Sequence, residues 1–291
     1  MQEIATEGKP VQARQMACIF LKNTLYGKTM QTQTELHARW KSLAPEIRNV
    51  VKEGLLAAMR SEDPTVSHSC AMATAEVACV ELPYREWPAF LPTLTENVTN
   101  PNAPMPVQEA ALQCLGFTCE RIAEVEEKLD GQVPELPSES VDSMLTTVVN
   151  GVQPGKPDKL RFIALQALKN SLIFVRKNMD VAGERDFIMK NAIMEATRAE
   201  QAAVRALAYS CLDQVAELYY EHLQDYMKDI YELTLRTIKE DPEEEVKRNA
   251  IEFWSTLAMV EQSLMEEEDL AARQRTSRRS ARLRRRDRCR P

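Results

Sequence analysis

Glycine is scarce in this chain, with eight in 291 residues. Loops that wrap a phosphate in backbone N–H groups depend on placed glycines. One triplet, Gly27-Lys28-Thr29, imitates the end of such a loop. The loop also requires glycine five residues before Gly27, where Lys22 stands, and no strand precedes it. Histidine is scarcer: His37, His68 and His222 are scattered, and none makes a metal-ligand spacing with cysteine. No Cys-x-x-Cys pair exists, and no Ser, Cys or Asp stands in a nucleophile motif. No catalytic, metal or cofactor site is therefore expected, and the chain reads as a non-enzyme. No apolar run approaches the roughly 18 residues of a membrane span, and no signal peptide opens the chain, so neither spanning nor secretion is expected. The seven cysteines are an odd number. Cys18, Cys70, Cys79, Cys114, Cys119 and Cys211 fall on apolar helix stripes, which reads as buried reduced thiols in an intracellular protein.

Runs of Val, Ile and Thr at period two are also few, whereas Ala, Leu, Glu and Met are abundant, which is helix-forming usage. The net charge of −7 is unevenly spread. Residues 273–290 hold ten Arg against one Asp, a local +9, leaving about −16 on the rest (−7 minus 9). An acidic body argues against nucleic acid as the main partner. The Arg-rich end suggests an arm for nucleic acid or an acidic partner, a localisation signal, a tail that folds back on the acidic body, or a segment foreign to the array.

One helical stripe recurs. Val66, Val107, Leu160, Val204 and Val246 are each followed four residues later by a small residue: Cys70, Ala111, Ala164, Ala208 and Ala250. Each pair shares one helix face. The anchors lie 41, 53, 44 and 42 residues apart. Periods in this range belong to stacked helix pairs, whose units touch only their neighbours and whose stack serves as a binding surface.

Turn signals divide the chain into A helices, the first of each pair, and B helices, the second. The predicted pairs are 45–60 with 65–81, 86–98 with 106–122, 139–150 with 157–178, 184–198 with 201–222, and 224–239 with 244–261. Gly151 is read as a C-cap. The polar stretch 126–138 is read as a loop that accounts for the 53-residue step. A lone B-like helix is predicted at 11–26. The expected domain layout is one helix-pair array over 1–262 followed by an acidic, then Arg-rich, disordered tail over 263–291.

The chain resembles the N-terminal part of the importin-β family of nuclear import receptors, built from HEAT repeats. The resemblance rests on Leu21-Lys22-Asn23, Arg39-Trp40, Glu81-Leu82-Pro83 with Trp87-Pro88, Asn97 to Asn102, Asn170-Ser171-Leu172, Phe187-Ile188-Met189, Leu218-Tyr219-Tyr220 and Phe253-Trp254-Ser255. The HEAT pairing of an apolar with a basic residue stands at Leu160-Arg161, Val204-Arg205 and Val246-Lys247, and fails at Val66-Ser67 and Val107-Gln108. The resemblance implies an all-α, right-handed α-solenoid of HEAT repeats, from the second half of repeat two to repeat seven.

The resemblance also implies partners. Phe-Gly nucleoporins would dock in a pocket between repeats five and six formed by Leu145, Thr146, Val149, Glu184, Phe187 and Ile188, and in another that includes Tyr226. Ran-GTP would meet Lys22 and Lys28. Importin-α or a basic cargo would bind mainly outside this chain. The implied location is cytoplasm, nucleus and nuclear pore. Spacing supports part of this: Leu145 and Val149 are one turn apart on one face, and Phe187-Ile188 open the next A helix. A rigid HEAT scaffold, such as a phosphatase subunit, is the alternative. A nucleic-acid adaptor built on the Arg-rich end is a third reading.

Overall fold

The structure, a computed structural model, describes residues 1–129 and 134–288, with side chains described as far as residue 267. The helices are α1 (Gln2–Ala5), α2 (Val11–Asn23), α3 (Met30–Lys41), α4 (Pro45–Ala58), α5 (Pro64–Glu81), α6 (Phe90–Thr99), α7 (Met105–Leu129), α8 (Ser138–Val152), α9 (Asp158–Ser171), α10 (Arg176–Asp180), α11 (Ala182–Asp186), α12 (Ala202–Leu218), α13 (Met227–Glu240) and α14 (Glu244–Arg288). A π-helical stretch, Phe187–Met194, continues α11. Short 3-10 turns lie at Leu82–Tyr84 and Tyr220–Asp225. The described residues contain no strand. The chain forms two compact units, Met1–Cys211 and Leu212–Pro291.

In the first unit the B helices form a layer in which α5 packs against α2 and α7, and α7 packs against α9. The A helices lie on it: α4 on α5, α6 on α7 and α8, and α8 on α9. The recurring stripe is the core of both units, and all ten of its residues are at most 9% exposed. Helix starts follow their sequence signals. The Asp63 carboxylate accepts from the backbone N–H groups of Thr65 and Val66, and Pro64 occupies the first turn of α5. The basic residue of the HEAT pairing is a tie between helices. Arg161 is buried, and it donates through Nε to the Val152 carbonyl at 3.0 Å and through Nη2 to Glu195 at 2.5 Å.

Small residues set the spacing of the layer. A methyl placed on Gly116 would meet Ala167 Cα at 3.2 Å, and one on Gly151 would meet Ala164 Cβ at 2.8 Å. Gly151 therefore lies inside α8 as a close-packing position and is not the C-cap expected from the sequence; the cap is Gln153.

Several boundaries differ from the expected ones. α3 falls in a stretch where no helix was predicted, because its inward face is carried by a glutamine and a tryptophan, Gln33 and Trp40. α7 runs on to Leu129 through residues expected in a loop. Val125 and Leu129 are buried one turn apart, and Glu126, Glu127 and Lys128 form the polar side of that turn. The helix expected over 157–178 breaks after Ser171, whose hydroxyl donates back to the Leu168 carbonyl, and resumes as α10. The helix predicted at 11–26 is α2, preceded by α1, which packs on α2 and α4.

In the second unit α13 packs on α14, and Ile230 and Leu233 of α13 and Val246, Ala250, Phe253 and Leu257 of α14 are buried. The indole N–H of Trp254 donates to Thr234 Oγ1 at 3.1 Å. α14 carries helical backbone to Arg288, through most of the segment expected to be disordered. No Pro or Gly interrupts it, and Glu, Leu, Ala and Arg are strong helix formers. The side chains of the Arg-rich run lie outside the described residues.

Candidate binding site

An open cavity of about 500 Å³ lies between α8 and α11 in the first unit. α8 contributes Asp142, Leu145, Thr146 and Val149. These positions, at spacings of three and four, put one helix face along the opening. Gly183, Glu184, Phe187 and Ile188 form the opposite wall, and Asn178 stands between. The six residues nominated for a pocket between repeats five and six thus line one cavity. Leu145, Val149 and Ile188 are 7%, 1% and 1% exposed and form its floor, whereas Phe187, at 41%, stands at the rim.

The rim is polar and fixed. The Asn178 amide nitrogen donates to Asp142 Oδ1 at 2.8 Å and to Glu184 Oε2 at 2.7 Å. One buried amide thereby holds two carboxylates above an apolar floor. Phe187 opens the π-helical stretch, a wider coil found frequently at functional sites.

Tyr226 is placed elsewhere. It is 2% exposed, in the core of the second unit, at the start of α13. A cavity of about 340 Å³ in that unit is lined by neighbours such as Leu223, Met227 and Leu257, and Tyr226 is not among its lining residues. The sequence places Tyr226 in a helix-start context, where an exposed and a core tyrosine read alike.

Lys22 is half-buried on α2, and Lys28 is exposed in the turn before α3. Lys22 shares a feature invisible to sequence spacing. Its Nζ lies 5.8 Å from the Tyr26 ring centroid, and the same ring receives Arg121 Cζ at 4.6 Å and Lys128 Nζ at 4.9 Å. Lys128 also donates to the Gly27 carbonyl at 3.3 Å. The counter-charges are Glu76, 2.9 Å from Arg121, and Glu124, which pairs with both Arg121 and Lys128. Burial pushes the Glu76 carboxyl up, against the pull of Arg121 and Lys22. The turn itself is fixed by Gln33, which accepts from Gly27 N–H at 2.8 Å and donates to the Leu25 carbonyl at 2.8 Å. A side chain at Gly27 would strike the Gln33 backbone at 2.3 Å. Gly27 therefore serves a close backbone approach rather than a phosphate cradle.

The six described cysteines are buried and form no disulfide among the described residues, with Cys18 Sγ 3.2 Å from Cys70 Sγ. Burial pushes the Cys79 thiol up to about 12. No group of His, Cys, Asp and Glu with metal-binding geometry occurs among the described residues, and no helix there is long and apolar enough to cross a membrane.

Helix pairs stacked through a layer of small residues, with an apolar cavity between neighbouring A helices, define a HEAT-type repeat protein. No protein-family model matches the sequence. The chain is 34% identical to importin subunit beta-1 of Arabidopsis thaliana over 267 residues, 91% of this chain and 29% of that protein. It superposes on Kap95 in a Kap95–Nup1 complex with a TM-score of 0.83 at 32% identity, over 91% of this chain and 30% of that one. It also superposes on Kap95p bound to RanGDP, whose switch loops adopt the GTP-bound conformation, with a TM-score of 0.81 at 32% identity and the same coverage. The chain belongs to the importin-β family. It spans about 30% of the length of these relatives.

Proposed function

We propose that the chain acts in nuclear transport as a receptor of the importin-β type, moving between cytoplasm and nucleus through the pore. Its A-helix cavity holds the phenylalanine ring of Phe-Gly nucleoporins, and the basic turn around Lys22 and Lys28 meets Ran-GTP. The acidic body attracts importin-α or a basic cargo. No bond is made or broken in this scheme.

The observation that carries the reading is the cavity between α8 and α11: an apolar floor, one aromatic residue, Phe187, on a polar rim, and a volume of about 500 Å³, within the range of ligand sites. The similarity to Kap95 solved with Nup1 supports the ligand class. The energetics suit transport. Docking one aromatic ring removes roughly 150–250 Å² from water, worth about 4–6 kcal/mol before ordering costs, and those costs consume most of it. Each contact is therefore weak and quickly released, and affinity accumulates through effective concentration along a repeat-bearing chain.

The test is binding of a Phe-Gly peptide to variants at exposed lining positions, where folding is not at issue. Thr146→Arg fills the mouth and Phe187→Ser removes the aromatic rim. Each is expected to weaken binding by about tenfold or more, the loss of one aromatic contact. Undiminished binding in both variants would overturn the assignment, and failure of the intact chain to bind would favour a scaffold role.

A further inference from the structure

The groove does not end at the apolar cavity. A second cavity, of about 580 Å³, lies along α8 toward its N-terminus, and Asp142, Asn178 and Glu184 are common to the walls of both. The second cavity differs in kind. Glu126, Glu135, Asp142, Asp180 and Glu184 bring five carboxylates to it, against the two cations Arg176 and Lys177. Lys177 is engaged at the edge, donating to Ser138 Oγ at 3.2 Å.

Glu126 reports the field inside. It is half-buried, and its carboxyl is held above the usual range, first by burial and then by repulsion from Glu135. A cationic side chain between those carboxylates relieves that repulsion. The spacing suits a single peptide. α8 rises about 1.5 Å per residue, so the seven residues from Asp142 to Val149 cover about 10 Å, which an extended chain crosses in about three residues.

We infer that the two cavities form one bipartite peptide site, in which a phenylalanine ring fills the apolar cavity and a lysine or arginine about three residues away enters the acidic one. This rests on the Phe-Gly reading above and adds which repeats are preferred: those with a basic residue flanking the ring. Asn178 is the divider, with its amide tying one carboxylate from each side, Asp142 of α8 and Glu184 of α11, into a common wall.

The test is fluorescence anisotropy on the full chain, with labelled peptides of one Phe-Gly core carrying Lys, Ser or Glu three residues from the ring on either side. The lysine peptide is expected to bind about twofold to fivefold tighter than the serine peptide, the range of one partly exposed ion pair, and the glutamate peptide weaker than both. Glu126→Gln with Glu135→Gln, isosteric changes away from the apolar floor, is expected to abolish the lysine preference and leave the serine peptide unchanged. Added salt should likewise erase the preference alone. Equal binding of the three peptides, or a preference that survives the double substitution, overturns the bipartite site while leaving the Phe-Gly reading intact. No binding of any peptide by the intact chain overturns both.

Discussion

Glu81 ties three helices together through one carboxylate. It is fully buried, and it accepts from Trp40 Nε1 at 2.7 Å, Arg48 Nη1 at 2.6 Å and Lys52 Nζ at 2.9 Å. These donors sit on α3 and α4, while Glu81 ends α5. Replacing Glu81 by alanine does not strand every donor. Arg48 keeps Glu86 at 2.6 Å, and Lys52 keeps the Glu86 carbonyl at 2.7 Å. The loss falls on Lys52, whose side chain is 7% exposed, and on the Trp40 N–H. Breaking a buried ion pair from one side costs about 3–5 kcal/mol, and an unsatisfied indole N–H adds about 1. With the Glu86 carbonyl offsetting part of this, Glu81→Ala should cost about 3 kcal/mol. The assay is urea unfolding followed by circular dichroism. The companion Lys52→Met removes the stranded cation, so the double variant should recover about 1–2 kcal/mol relative to the sum of the single changes. A cost below about 1 kcal/mol for Glu81→Ala, or strict additivity in the cycle, would refute the buried-hub reasoning.

Three further outcomes are expected. Burial, then Arg121 and Lys41, lower the His37 pKa from 6.5 to about 4. The unfolded chain therefore takes up a proton below 6.5 while the folded chain does not, and stability is lost as the pH falls from 6.5 to 4, with no contribution above 6.5. His37→Gln should flatten the unfolding midpoint across that window, and an unchanged slope would discount the imidazole. Gly151→Ala should cost about 1–3 kcal/mol by overpacking α8 on α9, whereas Gly183→Ala, with nothing within 4 Å of the new methyl, should be neutral or slightly stabilising; thermal melts that rank the two alike would contradict the packing argument. Lys22→Glu with Lys28→Glu should weaken Ran-GTP capture and flatten its salt dependence, and retained binding with the original salt slope would move the contact elsewhere.

Legibility in the sequence divides along physical lines. The stripe of Val66, Leu160 and Val204 with their small partners was legible because a helix face repeats locally, and those residues are buried. α3 was illegible because it buries Gln33 and Trp40 for hydrogen bonds to the 25–27 turn and to Glu81, contacts that leave no apolar period. The end of α7 is hidden because Glu126-Glu127-Lys128 look like a loop when the packing of Val125 and Leu129, and the Tyr26 ring near Lys128, are not in view. The cation cluster on Tyr26 joins residues about a hundred positions apart, beyond any spacing rule. Leu145 and Val149 could be placed on one face from their spacing, but the Asn178 amide that fixes the rim could not.

The glycine contacts have a consequence for the cavity. At Gly116–Ala167 and Gly151–Ala164 neighbouring helices meet almost backbone to backbone, and at Gly151 the Leu112 side chain closes the remaining space at 3.1 Å. Contacts this close leave no room for inward movement, so they fix how near α8 lies to α9. α8 also carries one wall of the cavity, through Leu145 and Val149. The gap between Leu145 and Phe187 is then a gauge of that seam: a methyl on Gly151 pushes α8 off α9 and carries the Leu145 wall with it.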